Sequence, residues 1–449
     1  MSGRVLHLLS QRPARTGSGI TLEALLREAG GRGWRQAAVV GIPAGAPRPA
    51  LPRLDPGDVH PLWFGAGDLD FPLPGMSDVM PYPSSRFRDL SPAQIERYRS
   101  AWRDHVARVI DAFRPDLVHA HHLWLLSALV KDVAPEVGLV VHSHATGLRQ
   151  MARCPHLGEV VAAGCVRADA VLALSHVHAR AVARALCVPR AEVHVVGAGY
   201  DSAHFHPGPA GEAREREGIL YVGKVARAKG VPWLLDAFDR LRRRHPGARL
   251  HVAGSGAGPE AEALGARLRT TSGVVVHGHL DQAALARLMR RVTVFVLPSL
   301  YEGLPLVLVE ALACGARSIV TALPVVTEDL VPALGDLIGL VPCPRLEGSD
   351  EVAAADEACF VAALEAALER ALGQGAIEEE GLDRLAPFTW DAVFARIERI
   401  WGGLAGAARR TSDGTPEPRR GEDALPGGGP GHAGAPREGG GALRGGRPA

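Results

Sequence analysis

The chain alternates short, continuously apolar runs with longer stretches whose apolar positions recur at helical spacing. Runs at 4–9, 36–42, 139–141, 170–174, 193–196, 219–222, 249–254, 292–297 and 318–321 are apolar almost throughout. Unbroken apolarity over so few residues marks strands covered on both faces, as in parallel sheets. Helical patterns lie between them at 22–29, 94–113, from about 231, and at 281–290. This alternation predicts an α/β fold with parallel sheets. The pattern breaks at residues 208–217, which are Gly, Pro and charge, so domains are expected over 1–207 and 208–387. Residues 388–403 form a terminal amphipathic helix. Residues 404–449 are Gly, Pro and Arg with few large apolar side chains, and a disordered C-terminal tail is expected there. Residues 43–94 are Pro-rich and irregular, which suits a lid or an acceptor-recognition segment.

With 449 residues, 47% of them hydrophobic, the chain is long enough for two cores. A formal net charge of +1 gives no general pull towards nucleic acid, and none is expected as a partner. No charged-then-apolar leader and no apolar stretch of membrane-spanning length is visible. Six cysteines without a CxxC pair suit reduced, mostly buried thiols, so a cytoplasmic protein is expected. Lysine is scarce. Only Lys131, Lys224 and Lys229 occur among 50 basic residues. Lys224 and Lys229 share one loop, between the strand at 219–222 and the helix from about 231. Two ammonium groups beside a helix start suit a phosphate group.

The most informative stretch is 292–315. A buried strand ends at Pro298-Ser299, and a loop follows with Glu302 and Gly303. A helix then starts near Leu304 or Pro305, runs past Glu310 to Cys314, and is capped by Gly315. Its N-terminus suits an anion, and a carboxylate suits vicinal hydroxyls. Earlier, Thr16-Gly17-Ser18-Gly19 forms a loop after the first strand, where glycine lets backbone approach a ligand. Gly254-Ser-Gly-Ala-Gly-Pro259 ends in proline where a dinucleotide loop needs glycine, so it reads as a turn lining a cleft. Histidines cluster at two strand ends, 119–122 and 142–144. Their spacing matches no zinc signature, and no metal is expected. Residue type alone leaves structural and functional roles open for them.

Pro298-Ser299, Glu302, seven residues, Glu310 and Ala311-Leu-Ala-Cys-Gly315 together resemble the nucleotide-sugar site of the family 4 retaining glycosyltransferases. Asp116-Leu-Val-His-Ala-His121 and Gly199-Tyr-Asp…Phe205-His-Pro207 extend the resemblance through residues 1 to about 402. It implies the GT-B fold, two facing Rossmann-like domains with an interdomain cleft. It implies a sugar moved with retention from a nucleoside-diphosphate sugar to a small-molecule, glycan or lipid acceptor, without metal or cofactor. In that frame Lys224, Lys229 and the backbone of Gly303, Leu304, Pro305 and Leu306 hold the diphosphate and sugar. Glu302 and His121 are the catalytic pair at the sugar, and Glu310 holds the ribose. His144 lies on the acceptor side, with Gly17, Ser18 and Gly19 in a cleft loop. The sequence departs from the family at Lys224, where arginine is usual, and at Tyr200. A sugar-nucleotide epimerase on the same fold, or a non-catalytic nucleotide-sugar-binding partner, would share most of these features.

Overall fold

The core is built around two parallel sheets. The computed structural model describes residues 3–13, 16–77, 80–209, 213–347 and 351–412. The first sheet has seven strands in the order Val59–Phe64, Arg35–Pro43, Arg4–Leu9, Leu117–His121, Gly138–His142, Ala170–Ala173 and Val193–Val195. The second has six, in the order Val274–Gly278, Arg249–Ala253, Glu215–Val222, Val292–Leu297, Arg317–Thr321 and Ile338–Val341. Every pair within these two sheets is parallel. The strand Val292–Leu297 is buried at every position, as its apolar run requires. These are the two Rossmann-like halves of an α/β fold.

Several expectations need correction. The segment 43–94 is not wholly irregular, because Val59–Phe64 is the edge strand of the first sheet. Pro61 disguised it, since proline is tolerated at an edge and reads as a breaker. The strand expected from 219 starts at Glu215, inside the expected linker, with a register shift between Glu215 and Ile219. A long helix not among the expected elements, Ala354–Gln374, packs Phe360, Val361, Leu364 and Leu368 into the second core. Three of the six cysteines are exposed rather than mostly buried, and none of the six forms a disulfide.

The terminal helix Trp390–Ser412 runs past 403, into residues assigned to the tail. Its apolar stripe continues through Leu404 and Ala405, which pack with Trp401. The rest of the expected tail, 413–449, lies outside the described residues. The helix lies on the first sheet. Val393, Phe394, Ile397 and Trp401 join Val5, Leu25, Trp34 and Leu117 in one core. Burying each large side chain there contributes about 2–3 kcal/mol. Glu398 accepts from Arg32 at 2.6 Å and from Trp34 Nε1 at 2.9 Å. The two places where the chain passes between the halves also meet. Tyr200 N donates to Phe388 O at 3.0 Å, and Trp390 N donates to Tyr200 O at 3.3 Å.

Loops at the C-terminal edge of the second sheet approach closely through glycine. Gly230 has φ +74°, and a Cβ there would collide with the Pro298 carbonyl. This contact brings the lysine loop against the loop that carries Glu302. Gly230→Ala therefore combines a left-handed backbone with a clash, at about 2 kcal/mol or more. Thermal unfolding should fall by about 4–8 °C in this variant. An unchanged melting temperature would show that the two loops are not packed in this way.

Candidate active site

In a parallel sheet every strand sends its outgoing loop to the same edge. Here the two edges face one another across a cavity of about 870 Å³. One wall comes from the first half: Gln11, Thr16, Gly17, Ser18, Met76, Met80, His122, His144 and Thr146. The other comes from the second: Lys224, Val225, Ala226, Ser255, Gly256, Ala257, Glu260, His279, Leu304 and Leu306. The turn read at 254–259 does line this cleft.

On the first wall, Gly17, Ser18 and Gly19 are not a loop but the first turn of the helix Gly17–Gly31. Thr16 is the reason, because its Oγ1 accepts from Gly19 N at 3.1 Å and caps the helix. A Cβ on Gly17 would meet nothing within 4 Å, so the backbone there is open to the cavity. Gln11 Oε1 lies 3.2 Å from both Ser18 Oγ and His122 Nε2. Thr146 Oγ1 lies 3.2 Å from His122 Nδ1. His122 and Ala145 both have positive φ, +79° and +50°, at the ends of adjacent strands. Left-handed backbone at non-glycine residues costs about 1–3 kcal/mol each and clusters at functional sites.

His121 is displaced from its expected place. It is 1% exposed and does not line the cavity, whereas His122 and His144 do. Strand alternation turns His121 onto the face shared with His119, under the terminal helix. Its Nδ1 lies 3.2 Å from Nε2 of His144, and the two rings stack at 5.5 Å. His119, His121 and His142 each bring a ring nitrogen within 4.8 Å of the others. Their hydrogen bonds argue against a metal at this triad. Trp401 Nε1 donates to His119 Nδ1 at 3.0 Å, so the His119 proton sits on Nε2, facing His142 Nδ1 at 3.3 Å. An ion on Nε2 would force a proton onto Nδ1, against the indole N–H. Desolvation holds the group neutral. It lowers His119, His121 and His144 well below the usual imidazole range, and takes His122 and His142 to about 3.

On the second wall, Tyr221 Oη donates to Lys224 O at 2.7 Å and shapes the loop that presents Lys224 to the cavity. Lys229 Nζ pairs with Glu302 Oε1 at 2.7 Å and reaches Tyr301 O at 3.3 Å. Neither lines the cavity, but Gly303 does reach the opposite wall. A Cβ on Gly303 would lie 3.8 Å from Cβ of Ala145, beside His144. The backbone donors expected from 303 to 306 are reduced. Pro305 has no N–H, and Leu306 N donates to Leu304 O, which leaves Gly303 and Leu304. Arg227 does not stand in for the arginine missing at 224, because its guanidinium lies 5.1 Å from the centre of the Trp233 ring. Glu310, on the helix Leu306–Ala313, does not line the cavity. Desolvation, with help from the Asp201 carboxylate, raises its carboxyl to about 7.

Gly17, Ser18, His144, Lys224, Leu304 and Leu306 are thus brought into one cavity, and Lys229 meets Glu302. Sequence reasoning missed Gln11, His122 and Thr146. The available signal was polar residues just past strand ends. The backbone turn that aims His122 outward leaves no mark in composition.

Comparison with known proteins identifies the family. Residues 216–368 match the family described as glycosyl transferases group 1, and residues 16–199 match the glycosyl transferase 4-like domain. Glycogen synthase of Mycobacterium tuberculosis H37Rv is 30% identical over 329 residues, 69% of this chain and 72% of that protein. Sucrose-phosphate synthase from Thermosynechococcus elongatus superposes with a TM-score of 0.65 at 19% identity, over 90% of this chain and all of that one. HepE of Anabaena, solved with UDP and glucose, gives 0.54 at 15% identity, over 89% of this chain and all of that one. The chain belongs to the group 1 glycosyltransferases and has their GT-B fold.

Proposed function

We propose that the cleft takes a nucleoside-diphosphate sugar and transfers its sugar to an acceptor hydroxyl with retention of configuration. The observation that carries this reading is the Lys229–Glu302 pair, set between the Lys224 loop and the start of the helix Leu306–Ala313. Lys224, Lys229 and the positive end of that helix meet the diphosphate. Glu302 and the N–H groups of Gly303 and Leu304 hold the sugar. His144 meets it from the facing wall, in place of His121. Glu310 takes the ribose hydroxyls. Gln11, His122 and Thr146 face the acceptor, in a first wall to which Met76 and Met80 add apolar surface.

The acceptor oxygen bonds the anomeric carbon as the bond to the diphosphate oxygen breaks on the same face. The departing diphosphate takes the acceptor proton, so no protein nucleophile is required. Preorganised cations stabilise the charge growing on that leaving group. Neither metal nor cofactor enters this reading. Among the described residues no helix is long and apolar enough to cross a membrane. We place the protein in the cytoplasm, where its cysteines, none of them in a disulfide, would stay reduced.

Two measurements test this. A nucleoside diphosphate at a hundred times its dissociation constant stabilises by about 2.7 kcal/mol, a rise of several degrees in melting temperature. UDP, suggested by HepE, is tried first, then GDP and ADP. One should stabilise the protein, and Lys229→Ala should abolish that shift. Indifference to all three would sink the donor site. The second concerns Glu310. Its carboxyl holds a proton to about 7 in the fold but loses it near 4.5 when unfolded. Folding stability at this group therefore falls as pH rises from 4.5 to about 7, then levels. Glu310→Gln removes that loss. Ligand-free enzyme should gain up to about 3 kcal/mol at pH 8, and little at pH 5. Wild-type nucleotide affinity should meanwhile rise through pH 7, as ionised Glu310 accepts from ribose, and the variant should lack that rise. Equal stability of the two proteins at pH 8 would remove the buried carboxyl from the account.

A further inference from the structure

We propose that the buried histidines behind the cleft fix His144 as its Nδ1–H tautomer, with His121 as the positioning residue that sets it. The consequence for transfer rests on the reading above, in which His144 meets the sugar. The tautomer itself is a property of the free enzyme.

A neutral imidazole has one N–H and one lone pair, so fixing one nitrogen fixes the other. Desolvation keeps these rings neutral. The chain starts at Trp401, which is fully buried and whose indole nitrogen can only donate. It donates to His119 Nδ1, so His119 carries its proton on Nε2 and gives it to His142 Nδ1. His142 must then hold its own proton on Nε2, a buried nitrogen without a partner. His121 Nε2 is also buried and unpartnered.

Two arrangements remain for His121 and His144. In the first, His144 donates from Nε2, and His121 keeps a proton on Nε2. That places a second unsatisfied N–H beside the one on His142. His7 offers no relief. Its proton is held at Nε2 by Gln36, and its Nδ1 makes no hydrogen bond with His121. In the second, His121 donates from Nδ1, and its bare Nε2 lone pair shares the group with the His142 N–H. A buried N–H without an acceptor is rarer and costlier than an unused lone pair. The second arrangement wins, and His144 receives at Nε2. Its remaining nitrogen, Nδ1, carries the proton and is the one free to meet a ligand in the cavity that His144 lines. His144 is therefore a donor to an oxygen of the bound sugar and not a general base.

The test is nitrogen-15 NMR of the free enzyme labelled at histidine, with His144 assigned by the signals lost in His144→Ala. The proton of His144 should be found on Nδ1. Finding it on Nε2 overturns the proposal, whether or not any variant folds. Kinetics supply the second arm. His121→Phe should lower kcat about 10- to 100-fold, with the donor KM within about threefold. His121→Asn places an amide N–H near the Nδ1 position and should recover most of that loss. Equal loss in both variants, or loss in neither, counts against the relay. If no sugar nucleotide turns over with wild-type enzyme, the transfer reading falls, and the NMR result still decides the tautomer alone.

Discussion

Parallel pairing is the constraint on which the rest depends. A parallel sheet must send every strand out at the same edge, and that edge collects loops and helix starts. One such sheet makes a platform. Two, turned edge to edge, make a cleft whose walls are far apart in sequence: Ala145 approaches Gly303, and Gln11 and Lys224 line one cavity. The terminal helix ties this arrangement to the first sheet through Trp401 and the Arg32–Glu398 pair. The hydrogen-bonded crossings at Tyr200 and Trp390 fix where the chain leaves one half and returns to it.

The two walls differ in their electrostatics. The second supplies full charges: Lys224 on the cavity, with Lys229 and Glu302 paired just behind it. The first supplies neutral polar groups, because burial keeps its histidines uncharged. That division suits a reaction in which negative charge grows on one partner only. It also explains why a wall rich in histidine need not titrate near neutral pH. The strain at His122 and Ala145 is the cost of turning ring and backbone outward at the strand ends.

Much of this was legible in the sequence. Apolar runs marked the strands, because parallel strands are buried on both faces. Lysine scarcity singled out the loop of Lys224 and Lys229, and Lys224 lines the cavity while Lys229 pairs with Glu302. What could not be read has physical reasons. Pro61 hid an edge strand, since proline inside an apolar run speaks against a central strand. Thr16 turned an expected glycine loop into a helix start, a capping choice decided by one hydroxyl. His121 ends its strand facing the buried side, and His122 begins the turn that aims it at the cavity, so one position decides between them. The neutral histidine group under Trp401 unites four distant segments, and no local pattern predicts it.

Hydrogen–deuterium exchange with and without the stabilising nucleoside diphosphate tests the two-walled cleft most directly. Backbone amides at 223–230 and 301–308 should gain protection, and with a sugar nucleotide 144–146 should gain it as well. Segments 223–230 and 301–308 belong to the second sheet and 144–146 to the first, so joint protection of all three by the sugar nucleotide requires one ligand between the walls. With the sugar nucleotide, protection confined to one half, or centred on the groove around Glu217 and His245, would contradict the account.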